Sequence, residues 1–561
     1  MKRTVVTHLF APLGMGLLAG TLALGACKGG GPERPDIVPA PEPAADAAPA
    51  PEAPDTAAPA AEADAAGGEP FRLTRPMPRP VADLKLPGLE RFTLASGLEV
   101  FLVAQDKLPT VFMSLEFDLG EVDDPAGKKG LASVCMDLFS EGTERLDKIA
   151  FAEAQADHAV QIWSPAEPET SSVNLRALER ELGPALDLTA ELLRTPGLRQ
   201  EDFDRIIAQR QAALKQVRGT PDGVARRLFA PLVWGEAHPY GHLITEADLG
   251  ALRLDDCKAF AARLRPAGAR LWVVGKVTRE RLTTELEGRL SGWAGEAPRA
   301  REIPPAPAPT GAIAFVQVDG AVQSMVMVGH PGPRRDAADY EAAFLMAQIL
   351  GGSFSSRINM NLREDKGWAY GAFGGFEYAR AGSTLEVMAS VEASTTALAL
   401  AEMKREIEGL RAAPPKPEEL LRERDGALAG LPARFSSPSK TLEELKRLAF
   451  HGLPLDWFGG HASRLAAVDA EAAQRAAAAH LSERAFTVLV VGDGTVKAKD
   501  GEGTVLDALR RLAEAKAFGE GGLVILDADG KPAAEPVAPP APAEAPKAPE
   551  APKAPEAPKA P

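Results

Sequence analysis

Apolar positions recur along two stretches of the chain in nearly the same succession. In the first, Phe92 to Leu94 and Leu98 to Val103 flank Ser96-Gly97 and read as a hairpin, and Thr110 to Leu119 alternates as a further strand. The short apolar run Gly130 to Phe139 (GLASVCMDLF) follows as a helix. Leu178 to Arg194 and Arg199 to Arg218 carry apolar residues at three and four spacing, which predicts amphipathic helices packed on one sheet face. The second stretch predicts strands over Ala312 to Val318 and Ser324 to Val328, a helix over Ala337 to Leu350, strands over Ala372 to Glu377 and Ser383 to Val391, and a helix over Ser394 to Leu410. Each stretch closes on a β-branched strand running into glycine, ARLWVVG at Gly275 and FTVLVVG at Gly492, and the two glycines lie 217 residues apart. That separation is one domain length and indicates an internal duplication. The predicted fold is α+β: two homologous halves, each a mainly antiparallel sheet layered with helices.

Composition sets the borders. A signal-type segment occupies 1–26, a Pro/Ala/Glu/Asp-rich spacer 27–85, the first half 86–299, a Pro-rich linker (IPPAPAP within it) 300–310, the second half 311–530, and a low-complexity tail 531–561 that ends in the period APKAPE. Such spacers carry too few apolar residues to offset chain entropy. A net charge of −15 gives no footprint for nucleic acid. Beyond the leader, no apolar run approaches the ~20 residues that span a bilayer.

The leader itself has a basic start, Lys2-Arg3, and an apolar run from Leu9 to Leu24. Leu24-Gly25-Ala26-Cys27 resembles the lipobox of bacterial lipoproteins. That resemblance implies cleavage before Cys27 and lipid on its thiol, and Lys28 in place of an aspartate points to the outer membrane facing the periplasm. Cys135 and Cys257 are the only other cysteines. Both sit in apolar helical patterns and read as two buried thiols, with one disulfide open as the other reading in an export compartment.

The helix GLASVCMDLF with its Glu141-Gly142-Thr143 ending resembles the metal-binding helix of the pitrilysin/insulinase-type zinc peptidases, in which the same frame carries H-x-x-E-H. Those positions are here Ser133, Met136 and Asp137. The family's third ligand, a glutamate on a later helix, falls on Ala213 by spacing, and on Ala212 or Ala213 when aligned by Pro221. Zinc in such sites takes imidazole, thiolate or carboxylate ligands and keeps an open position for water. This set supplies one carboxylate, and Asp137 reads instead as a solvated or N–H-bonded helix residue. No metal or other cofactor is therefore expected in this chain.

Other histidines do not repair the site. His238 and His242 of HPYGH are split by Pro239 and Gly241, which break the helix that would align their rings. His158, His330, His451, His461 and His480 stand alone and read as surface or capping residues.

A second motif is retained. Leu350 to Tyr370, LGGSFSSRINMNLREDKGWAY, is similar to the family pattern L-G-G-x-x-S-S-R-L-x-x-x-L-R-E-x-x-G-x-x-Y. In active relatives the Arg and Tyr hold the substrate backbone across a closed chamber, which implies substrate-binding roles for Arg363 and Tyr370. Some members of this family pair a zinc-bearing subunit with one that lacks zinc but supplies Arg and Tyr. The resemblance therefore implies a clam-shell arrangement in which this chain binds peptide and completes the chamber of a zinc-bearing partner as a heterodimer. An envelope-anchored scaffold without proteolysis is the alternative.

Overall fold

The computed structural model describes residues 88–296, 301–483 and 485–536. The leader, Cys27, the first spacer and the repeat tail from residue 537 lie outside the described residues.

The first half begins with the expected hairpin, β1 (Glu90–Thr93) and β2 (Glu99–Ala104), followed by β3 (Thr110–Phe117), α1 (Leu131–Phe139) and α2 (Lys148–Asp157). Two strands that the apolar pattern does not announce come next, β4 (Gln161–Trp163) and β5 (Ser171–Leu178). Helices α3 (Leu182–Arg194), α4 (Gln200–Val217), α5 (Pro221–Trp234), α6 (Glu246–Ala251) and α7 (Leu254–Ala261) lead to β6 (Arg270–Gly275) and α8 (Arg279–Arg289).

The second half runs β7 (Ile313–Gln317), β8 (Gln323–Gly332), α9 (Tyr340–Ala347), the one-turn α10 (Arg357–Asn359), β9 (Ala369–Tyr378), β10 (Ser383–Glu392), α11 (Thr396–Ala412), α12 (Pro417–Gly430) and α13 (Pro438–Phe450). It closes with α14 (His461–Ala466), α15 (Ala470–His480), β11 (Thr487–Gly492), α16 (Val505–Glu514) and β12 (Leu523–Leu526).

The two six-stranded sheets share one plan: β1-β2-β6-β3-β5-β4 and β12-β7-β11-β8-β10-β9. In both, the strand ending in the closing glycine lies third, parallel to one neighbour and antiparallel to the other. The outermost strand differs, since β1 is antiparallel to β2 whereas β12 is parallel to β7.

Helices were expected on one face of each sheet, yet the other face is covered as well. The first half lends α5, whose Val224, Leu228, Phe229 and Val233 pack on Met325, Met327, Leu489 and Val491 of the second sheet. The second half lends α13, whose Leu442 and Leu445 pack on Phe101, Val103, Trp272 and Val274 of the first. This explains why β6 and β11 are buried on both faces and read as unbroken apolar runs. The close seat of α5 also requires Gly329, where a Cβ would fall 1.8 Å from Leu385 O and 2.9 Å from the Phe229 ring.

Polar contacts reinforce the exchange. Lys446 of α13 donates to Ser114 Oγ at 2.8 Å and faces Glu116 at 3.4 Å. Tyr240 donates to Glu169 Oε1 at 2.9 Å, and the same carboxylate oxygen accepts the Arg380 N–H from the β9–β10 turn at 2.9 Å.

The cysteines correct the preferred reading of free thiols. Cys135 on α1 and Cys257 on α7 form a disulfide, their Cα atoms 5.0 Å apart. The two helices pack directly on one another, a contact that a sequence separation of 122 residues conceals. Two isolated histidines also differ from expectation: His330 and His461 are buried. The His330 Nδ1 donates to Pro331 O at 2.8 Å while Nε2 accepts from Ser482 N at 2.9 Å, so both ring nitrogens are satisfied indoors. His461 Nδ1 meets the Glu341 carboxylate at 3.2 Å.

Candidate functional site

Helix α1 is built to be rigid. Asp124 caps its start, with Oδ2 accepting from Gly130 N at 2.8 Å and Leu131 N at 3.0 Å and Oδ1 accepting from Ala132 N at 2.9 Å. Its end is fixed by Gly142, at φ 120°, where a Cβ would lie 2.4 Å from Leu146 O. Of the nine residues of α1, Asp137 alone is not buried.

The four positions of the zinc frame differ in burial. Ser133 and Met136 are buried, whereas Ala212 and Ala213 are exposed on the outer part of α4. Asp137 is bound by a residue that the sequence reading passed over. Arg210, three residues before Ala213, donates Nε at 2.8 Å and Nη2 at 2.5 Å to Asp137 Oδ2. Asp137, expected as a solvated or N–H-bonded helix residue, accepts its N–H bonds from this guanidinium and is ion-paired to it. The Ser133 hydroxyl lies within reach of Gly130 O, at 3.1 Å, and of the Glu121 carboxyl. Burial pushes the Glu121 carboxyl up, against the pull of Ser133 and Arg210. A guanidinium, a hydroxyl, a thioether and a methyl do not make a zinc site. Among the described residues, no group of three or more His, Cys, Asp or Glu is placed to hold a metal ion.

The HPYGH turn is spent on structure. His238 Nδ1 accepts from Tyr240 N at 3.1 Å and its Nε2 meets Pro304 O at 3.1 Å. His242 is held below the usual imidazole range by burial, with Lys129 adding to the effect.

Arg363 and Tyr370 lie in the other half. The segment from α10 through Asp365 is anchored by the buried Ile358 and Leu362 and by Arg357, which donates Nε at 2.9 Å and Nη2 at 2.8 Å to Glu419. Asn359 ties it to β9, donating to Phe354 O at 2.6 Å and accepting from Ala372 N at 2.9 Å. Residues Met360 to Asp365 form a wide helical turn that projects Arg363 outward. Its guanidinium sits 4.5 Å from the Phe354 ring and 5.1 Å from the Tyr370 ring, and its Nε is 3.2 Å from Glu364. Tyr370 is 86% exposed and Phe354 54%. The structure therefore brings Arg363 and Tyr370 together on one surface but leaves the Ser133–Asp137 cluster in the first half, with its own partners.

Phe354 was missed because it occupies a variable position of the L-G-G-x-x-S-S-R frame. Arg210 was missed because α4 carries Arg205 as well, and only the helix phase selects which one meets Asp137.

Comparison with known proteins decides the relationship. Residues 100–233 match the family model for Insulinase (Peptidase family M16), and residues 251–426 match that for the Peptidase M16 inactive domain. The chain belongs to the M16 peptidase family. It is a member without the zinc motif. The Non-peptidase homolog YmxG of Helicobacter pylori is 24% identical over 361 residues, covering 62% of this chain and 81% of that protein. The peptidase M16 inactive domain from Pseudomonas fluorescens shares the fold with a TM-score of 0.68 at 23% identity, over 73% of this chain and 99% of that one. The periplasmic protease PqqL from Escherichia coli superposes with a TM-score of 0.63 at 15% identity, over 73% of this chain but 46% of PqqL.

Proposed function

We propose that this M16 chain is a catalytically incomplete subunit that binds peptide through Arg363 and Tyr370 and completes the chamber of a zinc-bearing partner. The observation that carries the reading is the contrast between its two motifs. The metal frame is closed by the Asp137–Arg210 pair, while Arg363 and Tyr370 stand at the surface on a firmly anchored segment. A guanidinium and a phenol are both donors suited to a peptide carbonyl, and shielding from water strengthens such bonds. Matching less than half the length of PqqL fits a chain that forms one side of a two-part chamber. Lipid on Cys27 and the spacer behind it would hold the subunit at the outer membrane, facing the periplasm.

A second reading is favoured by the name of the YmxG relative, a non-peptidase homologue: an envelope scaffold that binds polypeptide without any proteolytic partner. One experiment separates the two. The chain is purified alone and mixed with a zinc-bearing two-half M16 relative, and zinc content and peptide cleavage are measured. Cleavage that appears only on mixing and is lost in Arg363→Ala supports the subunit. No gain on mixing supports the scaffold, and stoichiometric zinc with cleavage by the lone chain rejects both.

A further inference from the structure

The zinc that the fold family implies does not fit the residues present, and what occupies its place has a chemistry of its own. Asp137 is the one point at which α1 meets solvent, and Arg210 covers it. Both of its hydrogen bonds run to the same oxygen, Asp137 Oδ2, from Nε and Nη2. A guanidinium has five N–H donors. Two are used here, and the described residues offer Nη1 no hydrogen-bond partner. The Arg210 side chain retains 39% exposure, and the neighbouring Ala212 and Ala213 present only methyl groups to solvent.

We infer that Arg210 has taken the cation's place and that its outer edge holds a peptide carbonyl oxygen, giving the chain a second grip on a bound polypeptide. The inference rests on the peptide-binding reading above and adds a contact in the opposite half. Charge selects the ligand. Asp137 already neutralises Arg210, so a second anion gains little there. A neutral, strongly dipolar acceptor is what such a pair accommodates. Asp137 fixes the plane of the guanidinium, which makes it a positioning residue for the contact. An arginine can hold a carbonyl in this way but cannot lower the pKa of a bound water as zinc does, so this position grips the polypeptide without cutting it.

The test is fluorescence anisotropy on the full chain with a fluorescein-labelled 15-residue peptide of extended, uncharged sequence, prepared as C-terminal amide and as free acid. Arg210→Met is expected to weaken binding of the amide about tenfold, the scale of one charge-assisted hydrogen bond, with thermal melting close to wild type. The wild type is expected to bind amide and acid equally. Asp137→Asn, which leaves the arginine charge uncompensated, should shift preference toward the free acid. Unchanged affinity in Arg210→Met, or a wild type that prefers the acid, overturns the inference. Binding weakened by Arg363→Ala but untouched by Arg210→Met removes this contact and leaves the proposed function standing. A wild type that binds neither peptide removes both.

Discussion

The indole N–H of Trp234, on a helix of the first half, donates to Thr384 Oγ1 of the second half across 2.8 Å in a buried setting. Around it, the Trp234 ring meets Tyr240 edge-on at 5.0 Å and His238 at 4.6 Å. Trp234→Phe keeps most of the ring packing and leaves the Thr384 hydroxyl without its donor. The expected loss is about 1–3 kcal/mol, read as a lower urea midpoint, and the double variant Trp234→Phe/Thr384→Val should recover part of it. A midpoint equal to wild type in the single variant would show the bond to be dispensable.

Reduction should be costly. The Cys135–Cys257 bridge spans 122 residues and joins two helices through buried sulfurs. Adding dithiothreitol, or substituting Cys257→Ser, should destabilise the chain by about 2–4 kcal/mol. Mass spectrometry after alkylation should detect both cysteines as modified only once reductant is present. Modification of the native, unreduced protein would contradict the bridge.

The converted metal frame makes a sharper demand. Restoring the motif with Ser133→His, Met136→Glu, Asp137→His and Ala213→Glu leaves Arg210 as an unpaired cation beside the new ligands. Repulsion of a divalent ion at such range amounts to several kcal/mol. Zinc retention after dialysis should therefore be poor in this quadruple variant and approach one ion per chain when Arg210→Ala is added. Full loading with Arg210 in place would mean that the guanidinium does not guard the site.

Stability should also depend on a carboxyl pair on the second sheet. Burial lifts Glu386 from 4.5 to about 7, with repulsion from Glu377 adding and Arg226 opposing. The fold thus favours its neutral form. Its contribution is fully present below pH 4.5 and is lost as the pH rises through about 7. Melting temperature should fall by roughly 1–3 °C between pH 5 and 8, and Glu386→Gln should flatten that part of the profile. An identical slope in the variant would assign the effect to other carboxyls.

Much of the architecture was legible because local signals agreed. The Ser96-Gly97 turn, the ARLWVVG and FTVLVVG strands and the long match from Leu350 to Tyr370 each carry their structure within a few residues. What escaped is what depends on distant chain. Strand β5 reads SSVNLRAL, and its Ser171, Ser172 and Asn174 are buried beside inward-facing Val173 and Leu175, so the usual alternation is masked. The polarity of Ser172 and Asn174 belongs to the face shared with the second half, where Lys446 meets Glu116 on the adjoining strand. The loss of zinc ligands was readable at Ser133, Met136 and Ala213. The residue that replaced the charge was not, because pairing Arg210 with Asp137 requires the crossing of two helices 73 residues apart.

The exchange of α5 and α13 also governs how the protein can come into being. Each sheet has one face completed only by a helix from the other half, so a half-chain released alone would present that face, Met325, Met327, Leu489 and Val491 in one case and Phe101, Val103, Trp272 and Val274 in the other, to water. Synthesis from the N-terminus leaves the first sheet waiting for α13 until most of the second half has been made. Folding is therefore a joint event late in translation, and a break in the gene between the halves would be tolerated only where both fragments are made together.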